Sequence, residues 1–361
     1  MGNTATYLRQ TVIGFCVGFL VAAHAAESKP LAMLPDMSLT LREQHVESAS
    51  VALIRGGRIA SLGAWGVAGP GRPSTVTTPY NLASLTKPWT AEVVLRLVSA
   101  GKLTLDQPID RYWSDPDLSF DSRRLKLAAR LALSHRTGLP NWRTSTGLVF
   151  LHDPGTTTSY SGESFQYLAR YAEHRTGKPF PMLAQRWLFG PTKMLSSGYV
   201  SAQGNLSPIA TGYDANGKPV PTVPVTHYNA ADLAHATAAD YARFLIDVRG
   251  DRHLTREVAA ERVRLQADQK AEVCEGTKAP SCPPWIGFGL GWQLLGFPHG
   301  TIMMHTGKDE GAFTFAAIDR TTGDGIVILT NSDNGWRMIL PLLEQTYANQ
   351  GLIRYLRAQI N

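Results

Sequence analysis

Strand-like segments lie near both ends of this 361-residue chain, and helical segments lie between them. Val51–Arg55 and Arg58–Trp65 are rich in residues that favour strands, and Gly56-Gly57 joins them, which predicts a β-hairpin. The C-terminal part carries further strand-like segments: Leu290–Leu295, Thr301–His305, Ala312–Ile318 and Ile326–Thr330. Any fold for this chain must therefore accommodate strands from both of its ends.

The middle of the chain, from about residue 84 to residue 285, combines helical periodicity with Pro- and Gly-rich connections. The predicted helices there are Trp89–Val98, Arg124–Ser134, Phe165–His174, Thr237–Val248 and Arg256–Ala267. A further amphipathic helix follows the last strand, because apolar side chains recur at spacings of three and four residues from Trp336 to Tyr347.

We predict an α+β fold, in which an antiparallel sheet built from both chain ends carries flanking helices and an inserted, mainly helical region. The sheet region is expected at about residues 45–83 and 286–361, and the helical region at about residues 84–285. Residues 26–361 then form a single domain. Two separate small sheets are the alternative, because the pattern alone does not pair the terminal strands.

The first 25 residues are predicted to be a secretory signal peptide. Arg9 precedes the apolar stretch Thr11–Ala23, and Ala23-His24-Ala25 has the small-x-small pattern of a cleavage site. A membrane anchor is the alternative, but the apolar stretch is shorter than the ~20 residues that a spanning helix needs. We therefore expect a periplasmic or secreted protein with no stable membrane span after cleavage.

Cysteine usage and charge agree with export. Once Cys16 leaves with the signal peptide, Cys274 and Cys282 remain, and an oxidising compartment favours a disulfide between them over two free thiols. The formal net charge of +6 is scattered without a basic run, so nucleic-acid binding is not expected. The chain has no H-E-x-x-H and no paired Cys-x-x-Cys, so neither a metal nor another cofactor is expected.

Ser84-Leu85-Thr86-Lys87 lies where the first strand region gives way to a helix. The spacing places Ser84 and Lys87 side by side on one helical face. A serine hydroxyl needs an adjacent base to become a good nucleophile, and a lysine is such a base when burial lowers its pKa. The start of a helix also offers backbone N–H groups to a developing oxyanion. Ser84 and Lys87 are therefore a candidate nucleophile and base.

Two later segments add candidates. Tyr160 lies on the loop before the helix Phe165–His174, where it can act as a second base or proton shuttle if its pKa is lowered. His305 offers a donor or a cation to the nucleophile or to an anionic substrate group, and Gly307 lets a substrate lie close to the strand edge. The alternatives are a packing role for Tyr160 and an ordinary strand histidine at position 305. We interpret His135 as structural, with its ring hydrogen-bonded to loop backbone.

In this order, Ser84-x-x-Lys87, Tyr160-Ser161-Gly162 and His305-Thr306-Gly307 resemble the three motifs of the penicillin-recognising serine enzymes. That superfamily includes class C β-lactamases, D-alanyl-D-alanine carboxypeptidases and related bacterial esterases. The resemblance extends over about residues 48–343 and implies a β-lactamase/transpeptidase-like fold.

The resemblance implies a role for each motif residue. Ser84 is the nucleophile that becomes acylated, and Lys87 takes its proton, alone or coupled to Tyr160. Tyr160 also protonates the leaving group, and His305, in the place of a more familiar lysine, helps to hold Tyr160 and the substrate. The backbone N–H groups of Ser84 and Lys308 form the oxyanion hole. The residues expected to contact substrate are Gly162, Thr306, Gly307 and Lys308.

The middle motif departs from the family at Gly162, where asparagine is usual and helps to hold the amide oxygen of a substrate. Glu163 is a candidate to take over part of that role. We therefore expect an exported serine hydrolase that acts through an acyl-enzyme on a small ester or on a D-amino-acid amide or peptide. The alternatives are a β-lactamase and a catalytically silent homologue that binds peptidoglycan-like or other peptides.

Overall fold

Strands from both ends of the chain meet in one sheet in the computed structural model, which describes residues 1–2, 33–200, 208–221, 226–347 and 349–360. The strands are β1 (Ser48–Arg55), β2 (Arg58–Gly69), β3 (Arg72–Pro73), β4 (Tyr80–Asn81), β5 (His235–Ala236), β6 (Ala267–Asp268), β7 (Trp285–Phe288), β8 (Gln293–Phe297), β9 (Gly300–Asp309), β10 (Ala312–Asp319) and β11 (Gly325–Thr330).

The first and last strands lie side by side at the centre of the sheet. Within the described residues, nine strands follow one another in the order β3-β2-β1-β11-β10-β9-β8-β7-β6, and each neighbouring pair is antiparallel. β1 pairs with β11 from Ala49 opposite Thr330 to Ile54 opposite Gly325. The predicted sheet from both chain ends is thus confirmed, and the alternative of two separate terminal sheets is wrong.

The helices fall mostly in the predicted middle region and at the C-terminus. They are α1 (Ser38–Glu43), α2 (Thr86–Ser99), α3 (Ala129–Leu133), α4 (Glu163–Thr176), α5 (Phe180–Ala184), α6 (Gly190–Thr192), α7 (Ala238–Arg249), α8 (Arg256–Val263), α9 (Lys270–Val273), α10 (Ile339–Thr346) and α11 (Gln350–Ile360). Short 3₁₀ turns occupy Ala83–Leu85, Ile109–Arg111, Pro116–Leu118, Ser122–Lys126, Gly276–Ser281 and Asp333–Met338, and one π-helical turn spans Gln185–Phe189.

Helices cover both faces of the sheet, and alternate strand residues face opposite layers. In β1, Ala52 and Ile54 belong to the core shared with the middle helical region, which also contains Trp89 of α2. Ala49 and Val51 belong to the core shared with α10 and α11. β11 is buried throughout because both of its faces are covered. A strand in such a position has a nearly continuous apolar sequence.

The predicted helix Arg124–Ser134 is wrong in its middle. Leu127 and Ala128 are extended, and the carbonyl of Leu127 accepts the N–H of Ile109 at 2.9 Å. A tertiary hydrogen bond therefore replaces the helical one, and only a 3₁₀ turn and α3 remain on either side.

Two other boundaries also differ from the prediction. The helix expected to reach Ala267 ends at Val263, because Ala267 pairs with Phe288 as part of the sheet. The strand expected from Leu290 begins only at Gln293. The intervening turn contains Gly291 at φ +81°, where a side chain would collide with Ala91 of α2. The close approach of this turn to α2 therefore explains the glycine.

The described residues from position 33 onwards form one compact unit. Apart from its first two residues, the predicted signal peptide, residues 1–25, lies outside the part of the chain that the structure describes, so it stays a prediction. Among the described helices, none combines the length and apolarity needed to cross a membrane. Cys274 and Cys282 are joined by a disulfide that closes the loop between α9 and β7.

Candidate active site

Ser84 lies in the 3₁₀ turn that leads directly into α2. The preceding residue, Ala83, has φ +46°, a left-handed conformation that is uncommon for a residue with a side chain. The Asn81 side chain accepts the N–H of Ala83 at 2.9 Å, and the Thr86 hydroxyl donates to the Ala83 carbonyl at 2.7 Å. These bonds hold the turn in the conformation that presents Ser84.

Strand β9 passes directly beside this turn. A Cβ atom added at Gly307 would collide with the carbonyl of Leu82 and lie 2.9 Å from the backbone nitrogen of Ser84. The Thr314 hydroxyl on the neighbouring strand donates to the same Leu82 carbonyl at 2.8 Å. Only glycine permits this approach, which brings the strand segment that contains Lys308 beside the backbone of Ser84.

The side chain of Lys87 reaches back to Ser84. Its Nζ lies 2.8 Å from Ser84 Oγ and donates to the carbonyl of Ala231 at 3.0 Å. Lys87 is fully buried, and this burial lowers its pKa from 10.5 to about 8. A substantial share of Lys87 is therefore neutral near pH 8, in contact with a hydroxyl that needs a base.

A carboxylate that the sequence analysis missed lies next to this pair. Asp232 follows Ala231 on the loop before β5, and its negative charge opposes the lowering of the Lys87 pKa. Burial and the nearby Asp309 raise the pKa of Asp232 itself, against the effect of Lys87. No sequence signal marked Asp232, because it lies on an irregular loop 145 positions after Lys87.

Tyr160 lies over the Lys87 ammonium, with Nζ 4.7 Å from its ring centroid. The ring is partly exposed, but burial at the hydroxyl end raises the pKa of Tyr160, and the Ser84 hydroxyl only partly offsets this. A raised pKa does not meet the condition set for Tyr160 as a second base, and it favours the protonated hydroxyl. The catalytic role of Tyr160 stays a prediction.

His305 is a buried residue of β9 whose ring centroid lies 6.2 Å from that of Tyr160. Burial, and then the positive charge of Lys87, lower the pKa of His305 to about 3. Its Nδ1 donates to the carbonyl of Thr306 at 2.6 Å, which leaves Nε2 as an acceptor in the neutral ring. Of the two roles considered for His305, donor or cation, the lowered pKa does not favour the cation at neutral pH. Its position beside Tyr160 agrees with a supporting role, which stays a prediction.

His135 is structural, as predicted. It is buried, and its Nδ1 accepts the N–H of Ser161 at 3.1 Å, so the ring ties the end of α3 to the loop that carries Tyr160. The two rings stack with centroids 4.4 Å apart. Burial and the charge of Lys87 lower the pKa of His135, so its ring is neutral. His135 therefore packs against Tyr160 and fixes the loop that carries it.

The middle motif is occupied differently from the expectation. Gly162 is buried under the Trp142 ring. The indole of Trp142 therefore lies where the asparagine side chain of the usual motif would begin. Glu163 does not take over the role of the usual asparagine, because its carboxylate accepts the backbone N–H of Arg143 at 3.1 Å and faces the Arg143 guanidinium. The sequence analysis missed Trp142, which no motif marked.

The remaining predicted residues lie along β9. Thr306 and Lys308 are exposed, and Gly307 between them is buried against the Ser84 turn. Within the described ranges, no cluster of three or more histidine, cysteine or acidic side chains is arranged to hold a metal ion. The described site brings together the Ser84 hydroxyl, a partly neutral Lys87, the Tyr160 hydroxyl and backbone N–H groups.

Comparisons with known proteins agree with this arrangement. A family model described as Beta-lactamase matches residues 24–340. Esterase EstB from Burkholderia gladioli is 27% identical over 354 residues, which cover 81% of this chain and 88% of the esterase. A beta-lactamase from Pseudomonas fluorescens is 28% identical over 273 residues, which cover 72% of each protein.

A solved structure extends the similarity to the fold. The D-amino acid amidase from Ochrobactrum anthropi SV3 superimposes with a TM-score of 0.65 at 22% sequence identity. The match covers 89% of this chain and 97% of the amidase. The two proteins therefore share one fold.

Proposed function

The chain belongs to the Beta-lactamase family and is a serine hydrolase, and on this premise we propose that it cleaves small esters through an acyl-enzyme formed at Ser84. Its fold is the β-lactamase/transpeptidase-like fold. The observation that carries the proposal is the 2.8 Å distance between Lys87 Nζ and Ser84 Oγ, together with the lowered pKa of the buried lysine.

In the proposed reaction, neutral Lys87 takes the proton of Ser84 while Oγ attacks the ester carbonyl carbon. The backbone N–H groups of Ser84 and Lys308 stabilise the negative charge that develops on the carbonyl oxygen. The bond to the leaving alcohol then breaks, and Tyr160 donates the proton that the alcohol requires. Tyr160 regains a proton from the Lys87 ammonium, and a water molecule later hydrolyses the acyl-enzyme.

Two observations support an ester ahead of a β-lactam. Gly162 and Trp142 offer no side-chain amide where the middle motif usually has one, so hydrogen bonding to a substrate amide is weakened. The esterase relative also aligns over a large share of both proteins. Amides or peptides of D-amino acids are the second substrate class, and a β-lactam is the third.

The test of the proposed function is covalent labelling. After reaction with a small fluorophosphonate, the intact mass of the wild-type protein is expected to increase by one adduct. Ser84→Ala is expected to stay unlabelled. If wild type is labelled, a separate sample of unlabelled wild type is then assayed with a panel of p-nitrophenyl esters, D-amino-acid amides and a cephalosporin, and the esters are expected to react fastest. Folded wild type that takes no label would refute the hydrolase mechanism and favour a ligand-binding homologue.

We also propose that the protein is exported to the periplasm or secreted. The signal-like segment at residues 1–25 and the disulfide between Cys274 and Cys282 support this proposal, because disulfides persist in oxidising compartments. Intact-mass measurement of the protein from its native host tests both whether residues 1–25 have been removed and whether Cys274 and Cys282 are oxidised. An unprocessed N-terminus together with two reduced thiols would contradict export.

The charge of Asp232 is expected to set the pH range of activity. If neutral Lys87 is the base, kcat/KM rises with pH as Lys87 loses its proton near pH 8. The Asp232 carboxylate favours the charged lysine, so its removal lowers the Lys87 pKa further. Asp232→Asn is therefore expected to move the acid limb of the kcat/KM profile to lower pH.

The control for this prediction is Asp324→Asn in the turn between β10 and β11, where Asp324 faces Arg55. This variant is expected to keep the wild-type profile. An acid limb that stays in place or moves to higher pH in Asp232→Asn would show that Asp232 does not act on the catalytic base.

A further inference from the structure

The Trp142 ring and Gly162 fit each other closely. A Cβ atom added at Gly162 would lie 2.7 Å from two carbons of the Trp142 six-membered ring and 2.9 Å from the carbonyl oxygen of Asn141. Such distances are well below ordinary van der Waals contact. The absence of a side chain at Gly162 is therefore what lets the indole lie against the start of α4.

The backbone on both sides of Trp142 is held in place. On one side, the carbonyl of Asn141 accepts the N–H groups of Gly162 and Glu163, each at 3.0 Å. On the other side, Arg143 donates its own N–H to Glu163 at 3.1 Å and its guanidinium to Asp115 at 2.6 Å. Trp142 is thus preorganised, so it loses little conformational freedom when a substrate packs against it.

The indole also faces the reacting groups. Its centroid lies 5.7 Å from Lys87 Nζ, which in turn lies 2.8 Å from Ser84 Oγ. Trp142 remains 38% exposed, a large apolar surface left open beside the nucleophile. Tyr160 lies over the same ammonium. Because Tyr160 is proposed to protonate the leaving group, we expect the alcohol part of a substrate to lie beside the Tyr160 ring.

We propose that Trp142 is the wall of the acyl pocket and gives this hydrolase a preference for esters with an aromatic or long apolar acyl group. This inference rests on the proposed function at Ser84. The indole offers a flat surface on which an aromatic acyl group stacks, whereas an acetyl group is too small to cover it. Gly162 is the structural partner of this wall, since any side chain there would displace it.

The experiment compares kcat/KM for p-nitrophenyl phenylacetate and p-nitrophenyl acetate, which share one leaving group. Trp142→Ala is expected to lower the ratio of phenylacetate to acetate about 10-fold, and Trp142→Phe to keep it within about 3-fold of wild type. The control is Trp187→Ala. Trp187 lies near the C-terminal half of α2, where its backbone carbonyl accepts a hydrogen bond from the Arg96 guanidinium. The control is expected to keep the wild-type ratio.

The outcomes separate this inference from the proposed function. Wild type that takes no fluorophosphonate label and hydrolyses neither ester refutes the function at Ser84. Wild type that takes the label and, in a separate unlabelled sample, hydrolyses both esters refutes the acyl pocket alone if the ratio is unchanged in Trp142→Ala. If Trp142→Ala does not fold, Trp142→Leu replaces it, and a ratio equal to that of wild type in the leucine variant likewise overturns the inference.

Discussion

Replacing Lys87 by methionine is expected to lower kcat/KM for ester hydrolysis by about 10⁴-fold. Methionine fills the same buried space but has no nitrogen to take the Ser84 proton. The distance between Nζ and Oγ is 2.8 Å, and Lys87 is fully buried, so solvent has poor access as a replacement base. Steady-state kinetics with a p-nitrophenyl ester at pH 8 measure the loss.

The chain contains a matched control for this substitution. Ser99 and Lys102 repeat the spacing of Ser84 and Lys87 at the other end of α2, where Lys102 is exposed. Lys102→Met is expected to keep kcat/KM within about 2-fold of wild type, as surface substitutions usually do. Folded Lys87→Met with activity within tenfold of wild type would rule out Lys87 as the base.

Loss of activity in Lys87→Met is not expected to come from unfolding. Because the folded-state pKa of Lys87 is lowered to about 8 from 10.5, the buried ammonium costs stability below about pH 8. That cost disappears as the pH rises from about 8 towards 10.5, where the unfolded chain also loses the proton. The Tm of Lys87→Met at pH 7 is therefore expected to equal or exceed that of wild type.

Replacing Glu92 by leucine is expected to reduce the free energy of unfolding by about 3–5 kcal/mol. Glu92 lies on α2 and is buried with Arg262, whose guanidinium donates to both of its carboxylate oxygens at 3.0 and 3.1 Å. The Trp292 indole N–H donates to the same carboxylate at 3.1 Å. Removing Glu92 leaves a buried cation and a buried donor without this partner. Denaturant unfolding measures the change.

The exposed ion pair between Glu344 and Arg357 is the control, because solvent screens it. Glu344→Ala is expected to change the free energy of unfolding by about 1 kcal/mol or less. The double variant Glu92→Leu/Arg262→Met removes both buried charges and is expected to recover part of the loss. Equal effects of Glu92→Leu and Glu344→Ala would show that the buried pair does not support α2.

Much of the sheet could be predicted because a strand pattern is local. The hairpin at Gly56-Gly57 and the strands that became β9, β10 and β11 were recognised from composition and turn residues. The helix across Leu127 was predicted wrongly because a bond from the distant Ile109 decided its conformation. The strand β7 was missed because its four residues carry too short a pattern to read.

Contacts that depend on local geometry could be predicted from the amino-acid sequence. A spacing of three places Ser84 beside Lys87, and the glycine at position 307 permits the close approach of β9. Protonation states could not be predicted in this way, because they depend on burial and on charges brought together from far along the chain. The lowered pKa of Lys87, the protonated Tyr160 and the neutral His305 all follow from such contacts.

The composition of the candidate pocket was likewise decided only by the tertiary structure. Asp232 reaches Lys87 through the loop whose Ala231 carbonyl binds Nζ, and Trp142 reaches the site because Gly162 leaves room for its ring. Neither residue belongs to a local pattern, since each acts on a partner in another element. Local spacing therefore placed the candidate nucleophile beside its candidate base, whereas desolvation and long-range packing determined the charge state of this pair and the surface proposed to face a substrate.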